Sequence, residues 1–117
     1  MSQSRSFVKH PLVLTVSAGV SKELSFDLSR DTDIDLTSSS IYSTVILKVW
    51  EPDETEIISA AGRIEDRAAK IVTVEVTAEH NAVENVGFWE GQLQFFNTES
   101  VKTNTTLKFN YEIISSP

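Results

Sequence analysis

Ile41-Tyr42-Ser43-Thr44-Val45-Ile46-Leu47-Lys48-Val49-Trp50 is the most strand-like run in the chain. Val45, Leu47 and Val49 make one face. Tyr42, Thr44, Ile46, Lys48 and Trp50 make the other. Period-two alternation of β-branched and apolar residues is the mark of a strand. A run apolar on both faces belongs near the middle of a sheet. Pro52-Asp53 then sets a tight turn, because Pro fixes its backbone angle and Asp bonds its own backbone. Glu56 to Ala60 reads as a short return strand ending near Gly62.

Working outward, the same period recurs. Leu12, Leu14 and Val16 alternate up to the Ala18-Gly19 turn. Leu24, Phe26 and Leu28 alternate with Ser25, Asp27 and Ser29. A polar stretch from Ser29 to Ser40 follows, with Ile34 and Leu36 expected to tuck inward. Ile71 to Val76 is a β-branched strand. Thr77-Ala78-Glu79-His80-Asn81 reads as one short helical turn near residues 77–81, with Thr77 as its N-cap. Gly87 to Phe96 is a strand with Trp89, Leu93 and Phe95 on one face. Gly91 interrupts that face, as it would where a ring or another backbone lies over it. Asn97 to Asn104 reads as a polar loop, and Thr105 to Ile114 as the last strand. About seven strands without βαβ alternation imply an all-β, antiparallel sandwich or barrel.

Length and composition fit this. The chain has 117 residues, enough for a single domain spanning 1–117. Its 40% hydrophobic and 23% charged residues are globular composition. A net charge of −7 argues against nucleic acid and anionic membrane surfaces, which bind clustered Lys and Arg. There is no Cys, which excludes disulfides, thiolate metal sites and Cys nucleophiles. No apolar run approaches the ~18 residues of a membrane span, and the polar N-terminus lacks an apolar signal core.

Few residues suggest chemistry. Asp31-Thr32-Asp33-Ile34-Asp35 spaces carboxylates like the start of a calcium loop. Leu36 and Tyr42 stand where that loop needs Gly and a bidentate Glu, so the match fails. Glu65 or Asp66 could still complete a different site, against the plainer reading of a solvated loop with Asx turns. His10 and His80 have no metal-site spacing. Glu65-Asp66 and Glu51 with Asp53 are carboxylate pairs in turns, where acids usually only solubilise. There is no Gly-x-Ser-x-Gly elbow and no Gly-rich phosphate loop. The chain reads as a non-enzyme without a cofactor.

Several motifs resemble a known family. Asp35-Leu36-Thr37 is similar to its loop before a long strand, here Ile41 to Trp50, and Pro52-Asp53-Glu54 to its acidic turn. Thr77-Ala78-Glu79 resembles its helical turn, and Gly87-Phe88-Trp89-Glu90-Gly91-Gln92-Leu93-Gln94-Phe95 its Gly-x-aromatic-x-Gly strand. The family is the immunoglobulin-like domain at the N-terminus of the upper baseplate protein of lactococcal-type phages, with its relatives in phage virion proteins. The resemblance covers about residues 12–114. Asp53-Glu54 stands where the family turn usually carries Gly.

The resemblance implies an immunoglobulin-like β-sandwich acting as a structural piece of a tailed-phage virion. It would be assembled in the bacterial cytoplasm and present in many copies on other phage structural proteins. A small module without fibre or hub suits head decoration or cement slightly better than baseplate or tail-fibre attachment. With Trp89 facing in, Phe88 and Phe96 face out, and exposed apolar groups mark partner surfaces. The candidate interface is therefore Phe88, Phe96, Ile46 and Trp50, joined by Arg5 and Phe7 near the N-terminal polar arm (1–6). A second arm is 115–117. The rival is a carbohydrate- or receptor-binding module, which requires Trp50 and Tyr42 exposed and coplanar.

Overall fold

One long strand joins the two halves of the molecule. In the computed structural model, which describes residues 5–8, 13–51, 55–106 and 108–115 (backbone alone at 5–8 and 13), β5 spans Glu56–Asp66. Its first half pairs antiparallel with β4 (Thr44–Trp50), and its second half with β6 (Ile71–Val76). The return strand expected to end near Gly62 instead runs on through it. Gly62 makes this possible by lacking a Cβ. A Cβ there would lie 2.6 Å from Val74 Cγ2 and 3.0 Å from the Thr73 carbonyl oxygen.

The remaining strands are β1 (Arg5–Val8), β2 (Val13–Ser17), β3 (Lys22–Asp27), β7 (Gly87–Phe96), β8 (Lys102–Thr105) and β9 (Phe109–Ile114). Among the described residues nine strands form one continuous sheet, ordered β1-β3-β6-β5-β4-β7-β9-β2, with β8 on β7. The all-β expectation holds. Most pairs are antiparallel, but both edge pairs, β1 with β3 and β2 with β9, are parallel. β1 and β2 are consecutive in the chain, yet they pair with opposite ends of the sheet. The two ends must therefore lie close together, and the sheet curls into a near-barrel.

The alternating residues meet inside. Leu24, Phe26, Val72 and Val74 from one half face Val45, Leu47, Phe95, Phe109 and Tyr111 from the other. Phe26 and Phe109 approach with ring centroids 5.7 Å apart. Phe109 in turn covers Gly91, where a Cβ would lie 2.7 Å from the ring. The gap in the apolar face of β7 is thus filled by an aromatic from β9.

Local departures from the sequence reading have physical causes. Tyr42 does not share the outer face of β4. The strand begins only at Thr44, and Tyr42 closes a turn on Ser38, with its amide donating to the Ser38 carbonyl at 2.9 Å. That turn breaks the period, and the Tyr42 ring packs edge-on to Phe95 inside. The expected loop 97–104 holds a strand at its end, β8, and the chain leaves it at Thr106, whose hydroxyl accepts from Leu93 N–H and whose N–H donates to the Leu93 carbonyl. The last strand, β9, accordingly begins at Phe109 and not at Thr105. At 77–81 the amide of Asn81 donates to the Thr77 carbonyl, and the Thr77 hydroxyl accepts from His80 N–H, as an N-cap does. A 3-10 turn follows at Val83–Asn85. Residues 5–8 are a strand, where a terminal arm reaching residue 6 was expected. His10, Leu12, Pro52, Asp53, Glu54 and Leu107 lie outside the described residues, as do residues 1–4 and 116–117 of the arms.

The long 28–43 loop is anchored from the far side. Ile34 and Leu36 are buried as expected. Arg67 Nη1 donates to the carbonyls of Leu36 at 2.8 Å and Tyr42 at 2.9 Å. Arg67→Ala should lower stability by about 1 kcal/mol, since both carbonyls lose a charged donor. Chemical denaturation checks it, and Arg67→Lys should recover only part of the loss.

Candidate functional site

The outer face of β4 and β7 carries four of the six expected interface residues. Register places Trp50 opposite Glu90, Lys48 opposite Gln92, Ile46 opposite Gln94 and Thr44 opposite Phe96. Phe88 lies opposite Glu112 of β9. Phe88 is 63% exposed, whereas Phe96, Ile46 and Trp50 are half-buried. Phe88 and Phe96 stand eight residues apart on β7, about 26 Å at 3.3 Å per residue. The polar rows of Lys48, Gln92 and Gln94 separate them, so they do not form one patch. Arg5 and Phe7 lie on β1, which pairs with β3 at an edge of the sheet. Their side chains are outside what is described.

Around Phe88 the structure gathers residues that the sequence reading missed. Val20, Val83, Val86 and Ile114 are exposed, and Val86 precedes Gly87, whose partner Ile113 adjoins Ile114, at the end of the barrel where β7 begins. Ile114 lies two residues beyond Glu112, the cross-strand partner of Phe88, and so on the same face. Ile114 and Val20 line one hollow, of about 400 Å³, with Thr15, Val16, Ser17, Ser21 and Lys22. Val83 lies against Gly19. The 3-10 turn is held by Trp89, whose Nε1–H donates to the Asn85 carbonyl at 2.8 Å. Trp89 is thus half-buried against the core, and it fixes the turn that presents Val83 and Val86. The only signal in the sequence was Val83-Glu84-Asn85-Val86, two apolar residues in an otherwise polar connector.

A second depression, of about 250 Å³, lies on the same sheet face. Trp50, Glu51, Glu90, Gln92, Gln94, Lys102 and Lys108 line it. Lys108 Nζ sits 5.6 Å from the Trp50 ring centroid and 4.0 Å from Glu90. Gln92 Nε2–H donates to the Thr106 carbonyl, and Gln94 Nε2–H to Gln92 Oε1. Because Tyr42 is buried, the Trp50–Tyr42 platform that the rival reading requires does not form.

The acidic loop is a set of local turns. Asp35 accepts from the Thr37 amide and hydroxyl, the bonds of an Asx turn. These bonds hold its carboxyl below the usual range. A depressed carboxyl stabilises the turn above the ordinary carboxyl pKa, and that support is lost as pH falls through the lower, folded value. Glu65 pairs with Arg63, and Asp66 accepts from the Ala69 amide. Among the described residues no group of three or more His, Asp or Glu converges as a metal site would. His80 Nδ1 accepts from the Thr77 amide at 3.0 Å.

No protein-family profile matches this sequence, and no curated protein is detectably related to it by sequence. Among solved structures the N-terminal domain of phage TP901-1 ORF48 superposes with a TM-score of 0.65 at 13% identity. The match covers 94% of this chain and 98% of that one. CopC from Methylosinus trichosporium OB3b scores 0.46 at 7% identity over 90% and 86% of the two chains. The cysteine protease inhibitor EhICP2 from Entamoeba histolytica scores 0.41 at 10% identity over 96% and 95%. Those two are too distant to bear on function. This all-β near-barrel is a fold shared, across nearly the whole length of both chains, with a domain of a phage protein.

Proposed function

We propose that this chain is a non-catalytic structural protein of a tailed-phage virion, docking on a larger virion protein. The observation that carries the reading is the apolar end of the barrel: Phe88 with Val20, Val83, Val86 and Ile114, all exposed. Exposed apolar residues gathered at one end of a fold mark a partner surface. The fold shared with a phage domain supplies the setting. Acidic surroundings keep the rest of the surface soluble and oppose self-association.

Head decoration or cement and baseplate or tail-fibre attachment differ in copy number. Mass spectrometry of purified particles of the source phage should find this chain in a fixed ratio. About one per head subunit or capsomer indicates decoration, and a few to a few dozen released with tail parts indicates the baseplate. Absence from particles would overturn the proposal. Phe88→Asp should change folding stability by less than about 0.5 kcal/mol, as exposed substitutions do. It should also cut incorporation into particles severalfold. Incorporation at the wild-type level would remove Phe88 from the docking surface.

A further inference from the structure

We infer that the groove on the outer face of β4, β7 and β8 is a binding site for one ring of a neutral saccharide. This does not rest on the docking reading, since the groove and the apolar end are separate surfaces.

The floor is Gln94 and Gln92. Gln94 faces outward on β7, yet only 7% of it is exposed. The long side chains around it bury a polar group that ordinarily stands in water. Its amide is held at one end by Gln92 Oε1 at 3.2 Å, and Gln92 is fixed by the Thr106 carbonyl at 2.9 Å. This relay orients the Gln94 amide and leaves its Oε1 as an acceptor beside its second N–H. A planar amide with one acceptor and one donor side by side matches two adjacent hydroxyls, each of which both donates and accepts.

The walls fit the same ligand. Trp50 offers an indole ring for the C–H face of a pyranose. Lys108 sits over that ring, but it is half-exposed. Among the described residues its ion pair is the 4.0 Å contact to Glu90, a kind worth little in water. A stacking ring displaces it at small cost. Glu51 and Glu90 balance Lys102 and Lys108, so the groove carries no net charge within a chain of −7. Local neutrality favours an uncharged polyhydroxyl ligand over an anion or a cation. The volume of about 250 Å³ falls below the roughly 300–1,000 Å³ of drug-sized sites, which suits a single ring.

The two tryptophans make the test internally controlled. Trp50 lines the groove, while the Trp89 indole N–H is held by Asn85. The full chain, labelled with ¹⁵N, would be titrated with D-glucose, D-galactose, N-acetyl-D-glucosamine and L-rhamnose, each to about 50 mM. One-ring ligands bind on the order of 1–10 mM. At least one sugar should shift the Trp50 indole resonance saturably and leave that of Trp89 in place. In Gln94→Ala the apparent Kd should rise at least tenfold, on the Trp50 resonance. In Trp50→Ala the backbone shifts of Gln92 and Gln94 should no longer move. An unchanged Trp89 resonance would show both variants folded. No saturable shift with any of the four sugars would overturn the inference. So would equal movement of both indoles, or shifts that survive in both variants.

Discussion

Asn81→Ala should destabilise the domain by about 3 kcal/mol, the largest loss expected from any single polar side chain described above. Asn81 is fully buried between the 18–21 turn and β9. Its Oδ1 accepts from the Tyr111 hydroxyl at 2.8 Å, and its Nδ2–H donates to the Val20 carbonyl at 2.9 Å. Its own carbonyl accepts from Gly19 N–H. Alanine keeps the backbone bonds and removes both side-chain bonds. The buried Tyr111 hydroxyl is then left without a partner, at about 1–3 kcal/mol, besides the bond to Val20. For a chain of this size the melting temperature should fall by roughly 12 °C.

A double-mutant cycle separates the bond from the cavity. Tyr111→Phe alone should cost about 1–2 kcal/mol, because Asn81 Oδ1 becomes the orphan. The double variant should cost less than the sum, since neither partner is left unpaired. Additive losses would mean that the two groups do not share a bond. A pH series adds a second readout. Burial pushes the Tyr111 pKa up. A raised folded pKa means that its contribution is intact below the unfolded value, near pH 10, and is lost as pH rises past it. Stability should therefore decline more steeply above about pH 10 in the wild type than in Tyr111→Phe.

Asn81 also shows what could be read from the sequence alone. Strand positions were legible because alternation reports burial directly: Leu24, Phe26, Val45, Leu47, Leu93 and Phe95 all point inward as their spacing implied. Gly91 was legible for the same reason, as a gap in an apolar row. Asn81 was not, because a polar residue in a polar connector carries no period. Its burial depends on Tyr111, thirty residues away. The parallel edge pairings were hidden likewise, since alternation is the same whichever way the neighbouring strand runs. The candidate site divided along this line. Phe88 followed from the period of β7. Val20, Val83 and Ile114 join it only through turns and register. Gln94 looked like an ordinary outward-facing polar residue until the side chains around it were in place.

The crossing in β5 yields the second large effect. Gly62→Ala should cost about 2–3 kcal/mol, against the usual sign for glycine replacement in a strand. Elsewhere such a change gains about 0.4–1 kcal/mol by restricting the unfolded chain. At Gly62 the new methyl would lie 2.6 Å from Val74 Cγ2, 3.0 Å from the Thr73 carbonyl oxygen and 3.2 Å from Val45 Cγ1. Val74 and Val45 are buried on two different strands, and the third neighbour is backbone. None is the free end of a flexible chain, so relief requires β5 to move away from β6 or β4. Overpacking of this kind costs about 1–3 kcal/mol, and lost pairing at the crossover adds to it. Urea unfolding and amide exchange across β5 and β6 would measure it, with the faster exchange expected at Thr73 and Val74. Gly91→Ala is the comparison. There the neighbour is the Phe109 ring edge at 2.7 Å, a side chain that can tilt, and the loss should be smaller. A neutral or stabilising Gly62→Ala would mean that β4, β5 and β6 do not meet at this point. The single strand joining the two halves of the barrel would then have to cross elsewhere.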